Sequence, residues 1–240
     1  MACRHARTPA RPPSRLERRE TTRNRARGGG WAPGSTRAKR FRYGTGVTRV
    51  PPFDRPANYD DLLQQPDDLV AEILDGELHV TPRPTALAAG SAFTLGGMLR
   101  RASSAGDPDG WQILNEPELR LGADVLVPAL AGWRVSRLPQ LPLTPYFTVA
   151  PDWVCEIPAP YPASLRSRRM AIYAGEGVTH AWLLDPVAQA LEVRRLEAGR
   201  WSVVATHVGG QLVRAAPFEA VELQLSVLWP REPGKTRRGR

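Results

Sequence analysis

Two short, almost unbroken apolar runs constrain this chain most: DWVCEI (152–157) and HAWLLD (180–185). Each is too short for a helix and too uniformly apolar for a strand with one wet face. The segment between them, rich in Arg, Ser, Ala and Met, has helical character. A strand, a helix and a second strand in that order predict two parallel neighbours in a buried sheet. One carboxylate, Glu156, sits inside the first run, and Arg166, Arg168 and Arg169 stand near the start of the helix.

The rest of the chain builds outward from this unit. Asn58 caps a short helix carrying Tyr59, Leu62 and Leu63, which stops at Pro66. LVAEILDGELHV (69–80) is two β-rich runs about Asp75-Gly76, a hairpin signal. Residues 85–103 form a helix interrupted at Gly90 and Gly96-Gly97. WQILNE, ELRL, DVLVPAL and GWRV then give short strands, followed by a Pro-rich connection over 137–151. After Asp185-Pro186, ALEVRRLEAGRWSVVATHV alternates apolar and polar residues around a glycine turn, a second hairpin. FEAVELQLSVLW closes the domain with a strand and a short helix. The expected class is α/β (mixed α+β), with a central mixed sheet flanked by helices and β-hairpins toward both ends.

Charge is distributed unevenly. Residues 1–50 hold 13 Arg and Lys39 against Glu17 and Glu20, a net +12, and residues 231–240 carry a net +4. The total is +9, so residues 51–230 carry −7. A disordered Arg-rich tail is expected over 1–55, a folded domain over 56–230 and a basic tail over 231–240. The N-terminal tail has three readings: a nucleic-acid-binding arm, an extension from a misassigned start, or a transit peptide. A solvated or misassigned tail is favoured, because nothing aromatic or patterned backs a specific role. The acidic body is a poor binder of DNA by bulk charge. The only lysines, Lys39 and Lys235, fall in the tails, which suggests a GC-rich coding genome.

Cys3 and Cys155 make no disulfide framework, and Cys155 is expected to be a small buried hydrophobe. The run TALAAGSAFTLGGML (85–99) is too short and too rich in small residues to span a bilayer, and no apolar segment marks a secreted protein. A cytoplasmic, reducing setting without a membrane partner is expected. The histidines His5, His79, His180 and His207, scattered at strand ends and in the tail, have no metal spacing, and those at strand edges are expected to be satisfied surface or rim residues rather than ligands. No serine sits on a nucleophile elbow, and the glycine pairs do not form phosphate loops.

Carboxylates on strands remain as candidates: Glu72, Asp124 and Glu156. An unpaired acid among buried β residues costs several kcal/mol, roughly, so each needs a partner. Alternation puts Glu156 on the face of Val154. Two readings stand equal for it: a strand-end carboxylate paired with an arginine of 166–169, or a metal ligand.

AEILDGELHVTPRP, NEPELRLGADVLVPALAGWR, YFTVAPDWVCEI, MAIYAGEGVTHAWLLDP and LEVRRLEAGRWSVV follow one another in an order that resembles the Uma-type restriction endonuclease family. That family is a bacterial branch of the PD-(D/E)xK nuclease superfamily, and the similarity covers roughly 58–230. The resemblance implies a restriction-endonuclease-like fold and Mg²⁺-assisted hydrolysis of phosphodiesters in DNA. Carried over residue by residue, it places the family's first glutamate on Glu72 and its metal-binding glutamate on Glu156. The aspartate that follows Pro in that family falls on Ala129, a degenerate position. The lysine four residues before Tyr173 falls on Arg169, and the helix acid falls near Leu165. The histidine after a TPRP-like block has no counterpart, and the loop after Glu156 is one residue short.

Ala129 offers no oxygen, while magnesium sites rely on only a few carboxylates. Asp124 is five residues upstream, roughly 17 Å along an extended strand and on its other face. Arg169 keeps the charge but does not deprotonate. The leading expectation is a degenerate nuclease fold with weak or absent catalysis. The alternatives are an active Mg²⁺-dependent nuclease rebuilt on Glu72, Glu156 and Arg169, or a non-catalytic module that binds nucleic acid or protein. A homodimer is implied only by habit of the fold.

Overall fold

The computed structural model describes residues 48–49, 54–101, 110–157 and 163–229. The chain divides into two units, Met1–Arg42 and Tyr43–Arg240, and every described residue lies in the second. Of the expected N-terminal tail (1–55), only 48–49 and 54–55 are described, and Thr48–Arg49 is a strand rather than tail; the C-terminal tail (231–240) and residues 158–162 after Glu156 lie outside the described residues.

The predicted strand–helix–strand unit is β9 (Trp153–Glu156), α3 (Ala163–Gly175) and β10 (His180–Asp185). The two strands are parallel neighbours, Val154 opposite Ala181 and Cys155 opposite Trp182. They lie within a six-stranded sheet ordered β12-β11-β10-β9-β7-β4. Its other strands are β4 (Trp111–Asn115), β7 (Leu130–Arg134), β11 (Ala190–Glu197) and β12 (Arg200–Val208).

Both faces of this sheet are covered, which is why its central strands are apolar without a break. Trp153, Cys155, Trp182 and Leu184 pack on one face with Ala92, Leu95 and Leu99 of α2 (Ala86–Arg101) and with the C-terminal residues Phe218 and Leu228. Phe218 meets Trp153 and Trp182 edge-on, with ring centroids 5.0 and 5.5 Å away. Val154, Ala131, Trp133, Ala181 and Leu183 face the other way, onto Leu165, Met170, Ile172 and Tyr173 of α3. Period-two alternation therefore delivers Glu156, next after Cys155, to the α3 side.

The N-terminal hairpin belongs to a second six-stranded sheet, ordered β1-β3-β2-β6-β5-β8. It contains β1 (Thr48–Arg49), β2 (Leu69–Leu74), β3 (Glu77–Pro82), β5 (Glu118–Leu121), β6 (Asp124–Leu126) and β8 (Tyr146–Phe147). Asp75 and Gly76 both have left-handed φ, +53° and +76°, the conformation a two-residue hairpin turn requires. Helix α1 (Tyr59–Leu63) starts at Asn58 with a capping box to Asp61, as the sequence predicts. A two-stranded sheet, β13 (Leu212–Val213) with β14 (Leu223–Gln224), and a 3₁₀ turn at Leu225–Val227 close the domain.

Helix α2 departs from expectation. It runs unbroken through Gly90 and Gly96-Gly97. A β-carbon on Gly96 would stand 3.1 Å from Leu130 and 3.2 Å from the Asn115 side chain. The glycine thus lets the helix approach β4 and β7 closely, and this packing outweighs its poor helix propensity. The Pro-rich connection over 137–151 carries one short strand, β8, parallel to β5.

Candidate functional site

Four side chains from three separate elements converge beneath α3. Glu72 comes from the middle of β2, Glu156 from the end of β9, and Arg169 and Tyr173 from successive turns of α3. All four are buried, with Glu72 1% and Arg169 3% exposed. Spacing of four residues puts Arg169 and Tyr173 on one helix face, which α3 turns toward the sheet.

The Arg169 guanidinium lies between the two carboxylates. Its Nη1 donates to both oxygens of Glu72, with Nη1 to Oε2 at 2.5 Å. Its Nη2 donates to Oε1 of Glu156 at 2.6 Å, and its Nε to the same oxygen at 3.2 Å. Nη2 also reaches the Val127 carbonyl at 3.2 Å. The Tyr173 hydroxyl donates to Glu156 Oε1 at 2.7 Å, and the Val127 N–H donates to Glu72 Oε1 at 2.7 Å. The result is a closed network in which each charged group has several partners, the condition under which buried charges are tolerated.

Electrostatics follow from burial and this pairing. Burial raises the Glu72 carboxyl above the ordinary glutamate value, against the opposing pull of Arg169 and the Val127 N–H. Burial works against the charge of Arg169, but Glu156 and Glu72 outweigh it and hold the guanidinium firmly protonated. Burial pushes the Tyr173 hydroxyl well up, so it stays a neutral donor. Burial pushes the Cys155 thiol well up too, consistent with the inert core residue expected of it.

The other residues singled out from sequence fall elsewhere. Ala129 is partly buried and packs on the α2 side of the core. Asp124 accepts the Asp75 N–H at 2.6 Å, so it supports the hairpin turn. Leu165 is core. Of the neighbouring arginines, Arg168 donates to Glu77 at 2.7 Å, and Arg166 is exposed. Two contributors escape sequence reasoning: Tyr173, used there only as a landmark, and the Val127 backbone, which touches both Glu72 and Arg169. The spacing Arg169–Tyr173 was the available signal for the first. His79, expected at a rim, is buried on β3 directly opposite Glu72.

The sequence profile of the Uma2 family, described as "Putative restriction endonuclease", matches residues 56–227. The chain belongs to the Uma2 family. Among solved structures, it is similar to a crystal structure of a putative nuclease of the DUF820 group from Anabaena variabilis, at a TM-score of 0.60 and 20% identity. That likeness covers 72% of this chain and 98% of the other, and at such identity it speaks to the fold. None of the curated proteins matches the sequence.

A nuclease of this fold class is expected to work with a divalent cation, and the donor set of this Uma2 protein can be compared with that requirement. Both oxygens of Glu72 and Oε1 of Glu156 already accept from Arg169. Ala129 supplies no oxygen. Among the described residues, no three His, Cys, Asp or Glu side chains gather in a way that could hold a metal ion. The residues as arranged do not fit magnesium, which takes near-octahedral oxygen coordination. Among the described residues, no helix is long and apolar enough to cross a membrane.

Proposed function

We propose that this Uma2 protein keeps the nuclease fold of its family with DNA phosphodiester hydrolysis weak or silenced. The observation that carries the reading is the Arg169 guanidinium bonded to both Glu72 and Glu156. In this reading Arg169 is a built-in cation, bonded to the two carboxylates that would otherwise be available to hold a metal. A guanidinium neutralises charge but has no open coordination position and does not give up its proton, so it cannot generate hydroxide from a bound water. With Ala129 in place of an aspartate, the carboxylate count falls at the same time. Remaining roles would rest on binding nucleic acid or protein.

The test is nicking of supercoiled plasmid with Mg²⁺ or Mn²⁺, using wild type, Glu156→Gln, and an Ala129→Asp/Arg169→Lys double variant. Wild type is expected to leave the plasmid supercoiled. Metal-dependent nicking by the double variant alone would mean that the scaffold survives and that the missing aspartate and lysine are what silence it. Metal-dependent nicking by wild type that Glu156→Gln abolishes would show instead a working site rebuilt around these residues.

A further inference from the structure

Helix α3 carries arginine in the wrong place for its own stability. Arg166, Arg168 and Arg169 lie in its first two turns, where the helix dipole favours acids, and its first turn holds none. Arg169 is accounted for by Glu72 and Glu156, and Arg168 by Glu77. Arg166 has no ion-pair partner among the described residues.

Arg166 instead lines a cleft of about 410 Å³ between the outer face of α3 and the turn of the β11–β12 hairpin. Arg194 and Arg200 enter the cleft from the hairpin, together with Trp201. Glu192 partly neutralises Arg194 at 2.5 Å. Arg200 is exposed and forms no ion pair among the described residues, not even with Glu197, its opposite number across the hairpin. Trp201 is anchored: its Nε1–H donates to the Met170 carbonyl of α3 at 2.7 Å. The indole is thus a fixed wall, and the positive groups stand around it without acids in sufficient number to cancel them.

Planar guanidinium groups recognise phosphate oxygens, and an immobilised indole offers a surface for a flat ring. The volume falls within the range of small-molecule sites, roughly 300–1,000 Å³. The body as a whole is acidic, net −7 over 51–230. That field repels a long polyanion, while a compact dianion senses mainly charges within a Debye length of about 8–10 Å. We propose that this cleft binds the phosphomonoester and base of a nucleotide, phosphate on Arg166 and Arg200 and base against Trp201. The cleft is lined by none of the residues of the Glu72–Arg169–Glu156 network, so it stands whether or not that network is silent.

The full chain would be titrated calorimetrically with AMP, adenosine and inorganic phosphate, alongside an Arg166→Ser/Arg200→Ser variant. AMP is expected to bind saturably, with adenosine and phosphate each weaker by about tenfold or more and the double variant losing a similar factor. Both arginines are exposed, so the variant should keep the wild-type Tm. A 5′-phosphorylated dinucleotide that displaces AMP assigns the cleft to strand ends; one that does not assigns it to free nucleotide. Absence of saturable AMP binding at millimolar concentration overturns the proposal. Equal binding by the double variant overturns it too, since the ligand would then sit elsewhere, the basic tails included.

Discussion

Among the described residues, Arg169 is the one cation bonded to the two buried carboxylates Glu72 and Glu156, which otherwise accept from the Val127 N–H and the Tyr173 hydroxyl. The truncation Arg169→Ala would leave Glu72 and Glu156 facing one another without a cation, a change that typically costs about 3–5 kcal/mol. Replacing all three charged residues together, as Glu72→Leu/Glu156→Leu/Arg169→Met, removes the desolvation penalty along with the pairing. The triple variant is therefore expected to be more stable than Arg169→Ala, and near wild type, in urea unfolding. If the single variant proves as stable as wild type, water reaches the cluster and the network is not the closed one described. Glu72 also makes stability depend on pH. Its carboxyl is raised by burial, so the folded state holds that proton more tightly than the unfolded chain does. The stabilisation associated with a raised value is full below the unfolded pKa and is lost as pH rises through the folded one. Glu72→Gln mimics the neutral form at every pH, so its stability relative to wild type should improve as pH rises through that window. The opposite trend would mean that Arg169 and the Val127 N–H outweigh burial.

At the scale of elements, glycines separate close packing from mere permissiveness. Gly132 of β7 lies between two indoles: a β-carbon there would come within 3.1 Å of Trp153 and 3.2 Å of Trp111. Gly132→Ala should cost about 1–3 kcal/mol by overpacking a sheet that is covered on both faces. Gly90 of α2 has open space around it, and Gly90→Ala should stabilise by about 0.5–1 kcal/mol through helix propensity alone. Urea midpoints of the two variants should move in opposite directions; a shared direction would contradict the packing of α2 and β7. The same elements show what sequence pattern can convey. β9, α3 and β10 are legible because burial on both faces leaves an unbroken apolar signature, and the Asp75-Gly76 hairpin because its turn demands particular backbone angles. The course of α2 is not legible, since a glycine pair signals a break unless one knows which strand lies against it. The Glu72–Arg169 contact is hidden more deeply. The two residues are 97 positions apart, one on strand β2 and the other on helix α3, so no local periodicity links them. The resemblance to a family placed Glu72, Glu156 and Arg169 in one site; it did not say that the arginine would bond both acids.

On the scale of the whole chain, charge is distributed unevenly along the sequence. Residues 1–50 carry +12 and residues 231–240 carry +4, while residues 51–230 carry −7. Phosphate contacts by Arg and Lys release counterions, so affinity that arises from tails falls steeply with salt and is indifferent to DNA sequence. The full chain is accordingly expected to retard duplex DNA at low ionic strength, with the affinity dropping by about 10³-fold or more between 50 and 200 mM salt if six or more phosphates are contacted. Residues 51–230 alone should bind the same duplex weakly at any salt concentration, because the body's net field is repulsive. Fluorescence anisotropy on both forms, across a salt series, measures this directly. Equal affinity of the two forms, with a shallow salt slope, would place the DNA-reading surface on the body and would weigh against a silenced nuclease. A steep slope that disappears with residues 1–50 and 231–240 would instead separate two properties of one molecule: a polyanion affinity carried by its ends, and a folded domain whose buried arginine is bonded to both Glu72 and Glu156.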